Sequence, residues 1–289
     1  MINFLFKGSD REKKQNLETS SKVPLTKRQP FSLDELNPVP KGWRIGVPDF
    51  IGIAAVKAGT SWWHSLLLEH PQIVENRLKQ KELRYFAHFK YQGIEQEQIS
   101  TYHQAFAAPE GSICGEWSPI YLSYPLCIKN IAKAAPNTKI LAILRNPIDR
   151  TVSALNETAY GSKSFGFDAE QQYVYDVFLS YPIKMRASCY AHQLRQLLYY
   201  FDRSQILLLQ YEKCKINPEQ EIARTYRFLG VDDKYQPQNL KKTVNRKKYL
   251  VESLKPEERQ HLATYFADDV RATVEMFPEI DLSLWSDFD

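Results

Sequence analysis

The sequence predicts an α/β protein built as one large domain, with a central parallel sheet flanked by helices. Two observations carry this prediction. Phe50–Ala54 and Lys139–Leu144 are short, continuously apolar runs, and each passes through a turn signal straight into a helix start. Unbroken apolar runs of this length mark strands buried on both faces, whereas half-exposed strands alternate. The sheet signals are also spread from residue 50 to residue 212, and 289 residues with 43% hydrophobic content can bury one large core.

Taken in order, residues 1–45 read as a flexible or surface-hugging extension, and residues 46–289 as the domain. Met1–Phe6 is apolar but too short for a signal or a membrane span, Lys7–Lys27 is polar and charged, and Pro24, Pro30, Pro38 and Pro40 mark an irregular course. The first strand, Phe50–Ala54, leads through Lys57-Ala58-Gly59 into a helix over Ser61–Glu69. A second strand is expected at Ile113–Gly115. Pro136-Asn137 and Asn146-Pro147 bound the third strand, with Arg145 as its last residue. Asn146 suits an N-cap, Pro147 the first helical position, and Asp149 a capping-box partner, so a helix is expected over Pro147–Tyr160. A helix over Tyr190–Phe201, a strand over Gln205–Gln210 and helices over Pro218–Leu229 and Glu257–Phe277 complete the domain. The last helix carries Leu262, Tyr265, Phe266, Val270, Val274 and Phe277 at helical spacing, a core stripe.

Chemistry collects where strands end. The turn after Phe50–Ala54 presents backbone N–H groups and the positive end of a helix dipole at one point, and Lys57 adds a full charge. That is a cradle for a phosphate-like anion. It is not a Walker A loop, whose lysine directly follows the last glycine and precedes Ser or Thr. Here Lys57 comes before Gly59, and Thr60 and Ser61 follow. Arg145 stands at the carboxyl end of a second buried strand, where ligands of open α/β sheets gather. Its permanently charged guanidinium suits bidentate phosphate binding, and Ser153 lies one to two turns into the helix that follows.

Lys57-Ala-Gly-Thr-Ser61 resembles the 5′-phosphosulfate loop of sulfotransferases that use 3′-phosphoadenosine 5′-phosphosulfate (PAPS). Leu144-Arg-Asn-Pro-Ile-Asp-Arg-Thr-Val-Ser153 closely resembles the 3′-phosphate motif of the same family. Lys81-Glu-Leu-Arg-Tyr-Phe86 resembles the segment that supplies a catalytic glutamate in glycan sulfotransferases, and Gly115-Glu-Trp-Ser-Pro-Ile-Tyr121 resembles an element bordering the acceptor cleft. The resemblance covers roughly residues 47 to 285 and is closest in motif pattern to the heparan-sulfate-type and bacterial enzymes. There are two departures: Trp117 replaces the family's common lysine, and Arg84 replaces a histidine found in some members.

The resemblance implies a P-loop-like sheet of the sulfotransferase fold. It also implies PAPS as donor, PAP as product, no metal, and an acceptor hydroxyl or amine on a glycan or small hydroxyl compound. It assigns the nucleotide to Lys57, Ala58, Gly59, Thr60, Ser61, Trp62, Arg145 and Ser153, with Asn245, Arg246 and Lys247 in a basic loop over it. It assigns catalysis to Lys57 and to Glu82 as base, with His88 and His103 in reserve. Burial would raise the Glu82 carboxyl while Lys81 and Arg84 would hold it down, and the sequence leaves that balance open.

A net charge of +4 is too mild for a nucleic-acid partner. Cys114, Cys127, Cys189 and Cys214 form no C-x-x-C pair and no metal spacing with the six histidines, so reduced thiols are expected. Golgi relatives commonly carry a disulfide near the C-terminal basic loop. No cysteine follows Cys214 here, so cytoplasmic residence without integral membrane association is the expectation. Two alternatives stay open: a phosphotransferase on the same fold, and a catalytically silent nucleotide- or partner-binding protein. The non-Walker order and the Arg145/Ser153 pair count against the first; Trp117 favours the second.

Overall fold

The computed structural model describes residues 30–163, 185–241 and 254–289, with the backbone alone over 156–163. A short antiparallel pair joins β1 (Arg44–Ile45) to β4 (Ala107–Ala108). The main sheet holds β2 (Phe50–Ala54), β3 (Ile73–Val74), β5 (Ile113–Trp117), β6 (Lys139–Leu144) and β7 (Ile206–Gln210). All its pairings are parallel, in the order β3-β5-β2-β6-β7. Every residue of β2 and β7 is buried, as the unbroken apolar runs require.

From β2 the chain goes to the outer strand β3, returns to β5 beside β2, and then crosses to β6 on the other side. The carboxyl ends of β2, β5 and β6 therefore meet where the winding reverses, the usual ligand crevice of open α/β sheets. Strand β6 outruns β2: Ala54 pairs with Ala142, while Leu144 pairs with Gln210 of β7. Arg145 is thus carried past the end of β2 and over the loop that follows it. At Gly52 the strands approach so closely that a Cβ would fall 2.2 Å from the Trp117 indole, so only glycine fits there.

Among the described residues the helices are α1 (Thr60–Leu67), α2 (Gln96–Gln104), α3 (Pro125–Ala134), α4 (Pro147–Lys163), α5 (Tyr190–Tyr200), α6 (Tyr211–Ile216), α7 (Pro218–Leu229) and α8 (Pro256–Met276). Helices α2, α3 and α6 were not anticipated, although Pro125 at the first position of α3 and buried Cys127, Ile128, Ile131 and Ala134 gave a usable signal. Several expectations need correction. Strand β5 runs on to Trp117, and Gln205 belongs to a 3₁₀ turn, Arg203–Gln205, where it closes a capping box with Asp202. In α8, Leu262, Phe266 and Val270 are buried as expected, as is Phe277 just past its end, but Tyr265 is 56% exposed and lies off the core stripe.

Of the segment read as an extension, Phe31 is buried, with its ring centroid 5.3 Å from that of Tyr85. All four cysteines are free, and Cys114, Cys127 and Cys214 are buried. Among the described residues no helix is long and apolar enough to cross a membrane.

Candidate active site

The turn after β2 is tight because two of three successive residues are left-handed, Lys57 (φ 71°) and Gly59 (φ 82°). The Ala58 N–H closes it onto the Ala55 carbonyl at 3.1 Å. A left-handed lysine costs about 1–2 kcal/mol, which the surrounding structure must offset. Gly59 is the N-cap of α1 and supplies no capping side chain, so the first N–H groups of the helix are left for another acceptor. A Cβ on Gly59 would sit 2.7 Å from the Tyr211 ring, which places Tyr211, just past β7, against the loop.

Arg145 completes this side. Its guanidinium carbon lies 5.0 Å from the Tyr211 ring centroid, and its Nη1 donates to the Lys57 carbonyl at 3.3 Å. Its own carbonyl accepts the Tyr190 hydroxyl at 2.9 Å. Yet among the described residues Arg145 Nε is buried without a hydrogen-bond partner, and so is Trp62 Nε1 on the first turn of α1. Buried donors are normally paired. Two orphaned donors beside one uncapped helix start are what an anionic, hydrogen-bonding ligand would satisfy, so these residues fit a phosphorylated nucleotide.

The Arg145 turn is braced from behind. Asn146 caps α4, its Oδ1 accepting from the N–H groups of Ile148 (2.9 Å) and Asp149 (3.3 Å). The expected capping box is not formed: the Asn146 N–H donates to Glu212 Oε1 at 3.0 Å, and Asp149 instead accepts from Arg259 at 3.0 Å. The other oxygen of Glu212 takes the indole N–H of fully buried Trp285 at 2.9 Å. Burial pushes the Glu212 carboxyl up, against these hydrogen bonds. Ser153 is half-buried on α4. Trp63 belongs to the core, its indole N–H on Thr225 at 3.2 Å. Arg150 is also buried and donates to Ser188 Oγ. Asn245, Arg246 and Lys247 lie outside the described residues.

The second side is the loop after Gln80. Glu82 (φ 62°) and Arg84 (φ 52°) are both left-handed. Their N–H groups donate to the Trp117 carbonyl (3.1 Å) and to Ser118 Oγ (2.9 Å), docking the loop on the end of β5. The Glu82 carboxylate is clamped: Lys81 Nζ reaches Oε1 at 3.0 Å, while Arg84 Nη2 and Nε reach Oε2 at 2.6 and 3.1 Å. Burial alone would raise this carboxyl, but the hydrogen bonds and charges of Arg84 and Lys81 outweigh it and hold it below its ordinary value. A cleft of about 420 Å³ opens here, lined in part by Phe31, Glu35, Lys81, Glu82, Arg84 and His88.

Sequence reasoning missed His64. It is buried on α1 and lies within the field of Lys81 and Glu82. Burial, helped by the Lys81 charge, pushes its imidazole down to about 4, so it is neutral at physiological pH. A lone histidine in an apolar helix gives no local signal of that proximity. Glu116 is fully buried and accepts from Tyr102 (2.8 Å), Tyr121 (3.0 Å) and Ser118 (2.6 Å), and burial pushes its carboxyl up. Trp117 is a core side chain, its indole N–H on the Ala54 carbonyl at 3.4 Å. Of the reserve histidines, His88 is exposed at the cleft, whereas His103 is held on the Ala134 carbonyl at 2.8 Å.

The sulfotransferase domain model matches residues 47–275, and the chain belongs to that family. It is 29% identical over 113 residues to the membrane-associated sulfotransferase kil1 of Dictyostelium discoideum, a match covering 39% of this chain and 23% of that protein. It is 28% identical over 127 residues to heparan sulfate glucosamine 3-O-sulfotransferase 6 of Mus musculus, covering 42% of this chain and 36% of that one. The matches thus span between about a quarter and a third of those relatives' lengths. The crystal structure of a sulfotransferase from Alicyclobacillus acidocaldarius superposes with a TM-score of 0.63 at 26% identity, over 84% of this chain and all of the other.

Proposed function

We propose that this protein transfers the sulfuryl group of PAPS to a hydroxyl or amine of an acceptor, a glycan above all. The observation that carries the donor half is Arg145: a guanidinium stacked on Tyr211, bonded to the Lys57 carbonyl, with a buried Nε that has no partner among the described residues. A 3′-phosphate beside it would supply the missing acceptor. The glycan reading draws on the Lys81–Glu82 segment, on the polar cleft beside it, and on the similarity to a heparan sulfate 3-O-sulfotransferase.

PAPS supplies an activated sulfur–oxygen bond. Lys57 and the N–H groups at the start of α1 stabilise the negative charge that grows on the bridging oxygen as that bond breaks. Glu82, ionised well into the acidic range, receives the proton of the acceptor as the new oxygen–sulfur bond forms. The four unpaired cysteines support a reducing compartment, the cytoplasm, which fractionation of cells expressing the protein would test.

The deciding experiment measures affinity for PAP against ADP and ATP, with and without Mg²⁺, together with transfer of radiolabelled sulfate to an acceptor panel. The expected result is a metal-independent preference for the 3′-phosphorylated nucleotide, with label in an acceptor. Equal binding of PAP and ADP would refute the donor assignment. PAP preference without label in any acceptor would favour a silent nucleotide-binding protein.

A further inference from the structure

Glu82 is placed to act as a base, yet both of its oxygens are taken by cations. A carboxylate so saturated is a weak proton acceptor. The three partners are not equally fixed. The side chains of Lys81 and Glu82 are 20% and 27% exposed, whereas that of Arg84 is 63% exposed. The backbones of Glu82 and Arg84 are tied to the end of β5, so the guanidinium is the mobile member of the cluster. An ion pair this exposed yields readily to competing anions.

Building on the sulfotransferase reading, we propose that Arg84 is a latch on the Glu82 carboxylate, and that the acceptor carries an anionic group, a carboxylate or a sulfate, which draws Arg84 away and frees Glu82 to take the acceptor's proton. A guanidinium fork matches either group in two-point geometry, better than it matches a neutral hydroxyl. Arg84 and Glu82 line the same cleft, so the anion and the reacting hydroxyl can belong to one molecule.

Once Arg84 has turned to the acceptor, Glu82 faces Lys81 from its own loop, neutral His64 from α1 and buried Glu116 from β5. One cation remains where two stood, so burial counts for more and the carboxylate becomes a stronger base. The acceptor O–H bond then breaks toward Glu82 Oε2, the acceptor oxygen bonds to sulfur, and the electron pair of the old sulfur–oxygen bond leaves with PAP. A neutral acceptor would find the latch closed.

Calorimetry with PAP present, on the wild type and on Arg84→Gln, tests this. The probes are a uronate-bearing oligosaccharide, its carboxyl-reduced counterpart, and that neutral sugar carrying one sulfate. The wild type should bind at least one anionic sugar roughly tenfold or more tighter than the neutral one, and which of the two is preferred identifies the group. Arg84→Gln should abolish the preference and leave PAP affinity unchanged. The acid limb of its kcat/KM profile, which reports the free enzyme, should move to higher pH, because unliganded Glu82 has lost a partner that held its carboxyl down. Equal binding of all three sugars by the wild type, or a preference that survives Arg84→Gln, would overturn the latch. The binding arm needs no sulfate transfer and so decides the latch separately; a failed donor reading would show instead as equal affinity for PAP and ADP.

Discussion

The proposed donor side and the proposed acceptor side of the crevice are built by different means. The donor side stands on backbone: the ends of β2, β6 and β7, an uncapped helix start, and a single arginine braced through Asn146, Glu212 and Trp285. The acceptor side stands on side chains: two left-handed residues hold a loop against β5, and a carboxylate is poised between Lys81 and Arg84. A backbone cradle recognises one invariant group and leaves little to adjust. A side-chain cluster can be retuned by one substitution, so acceptor choice is where such a fold can vary.

Breaking the donor side should cost most. Lys57→Ala removes charge from both the bound donor and the leaving oxygen, so kcat/KM should fall by roughly 10³-fold, with PAP affinity falling as well. Normal turnover in steady-state assays would reduce the loop to scaffold. Arg145→Ala should weaken PAP by about 2–3 kcal/mol while hardly changing affinity for the analogue lacking the 3′-phosphate. Equal losses for both nucleotides in a calorimetric titration would make Arg145 a general structural residue.

On the acceptor side, Glu82 should respond in rate alone. Glu82→Gln should cut kcat by roughly 10²-fold with PAP affinity intact. Because the wild-type carboxyl is held below its ordinary value, kcat/KM should persist into the acidic range and be lost only as pH falls through that lowered value. Near-normal turnover would move the role of base to His88 or His64. Glu116 sharpens the contrast through stability. Its folded-state carboxyl is raised, so its contribution is present at low pH and is lost as pH rises through the folded value. Thermal unfolding should therefore show Glu116→Gln gaining on the wild type as pH climbs out of the ordinary carboxylate range. The smallest effect is expected at Ser153→Ala, which should cost about 0.5–1.5 kcal/mol in PAP binding, the value of one hydrogen bond.

The same contrast explains what could be read from the sequence. The donor side was legible because local rules write it: an apolar run, a glycine turn, and the Asn-Pro start of α4 each act on near neighbours in the chain. Glu212 was not, since its tie to the Arg145 turn spans 66 residues. On the acceptor side Lys81 and Glu82 were singled out, but which influence prevailed at the carboxyl depended on the grip of Arg84, and no propensity foretells two left-handed charged residues. His64 was missed because its interest comes from proximity to a loop some twenty residues away. Tyr265 shows the reverse error: helical spacing admitted it to the core stripe, and the packing of α8 leaves it outside.

Gly52 and Trp117 share one volume, since the indole lies where a side chain at position 52 would be. Position 117 is therefore not an independent design variable. Exchanging the tryptophan for a lysine would place a new charge at the end of β5, but it would also open an indole-sized hole in the middle of the sheet, a loss of the order of 3–5 kcal/mol for a large aromatic cut from a core. A larger residue at 52 is the natural counterweight, so any engineering of the crevice floor at 117 has to begin with its neighbour on β2.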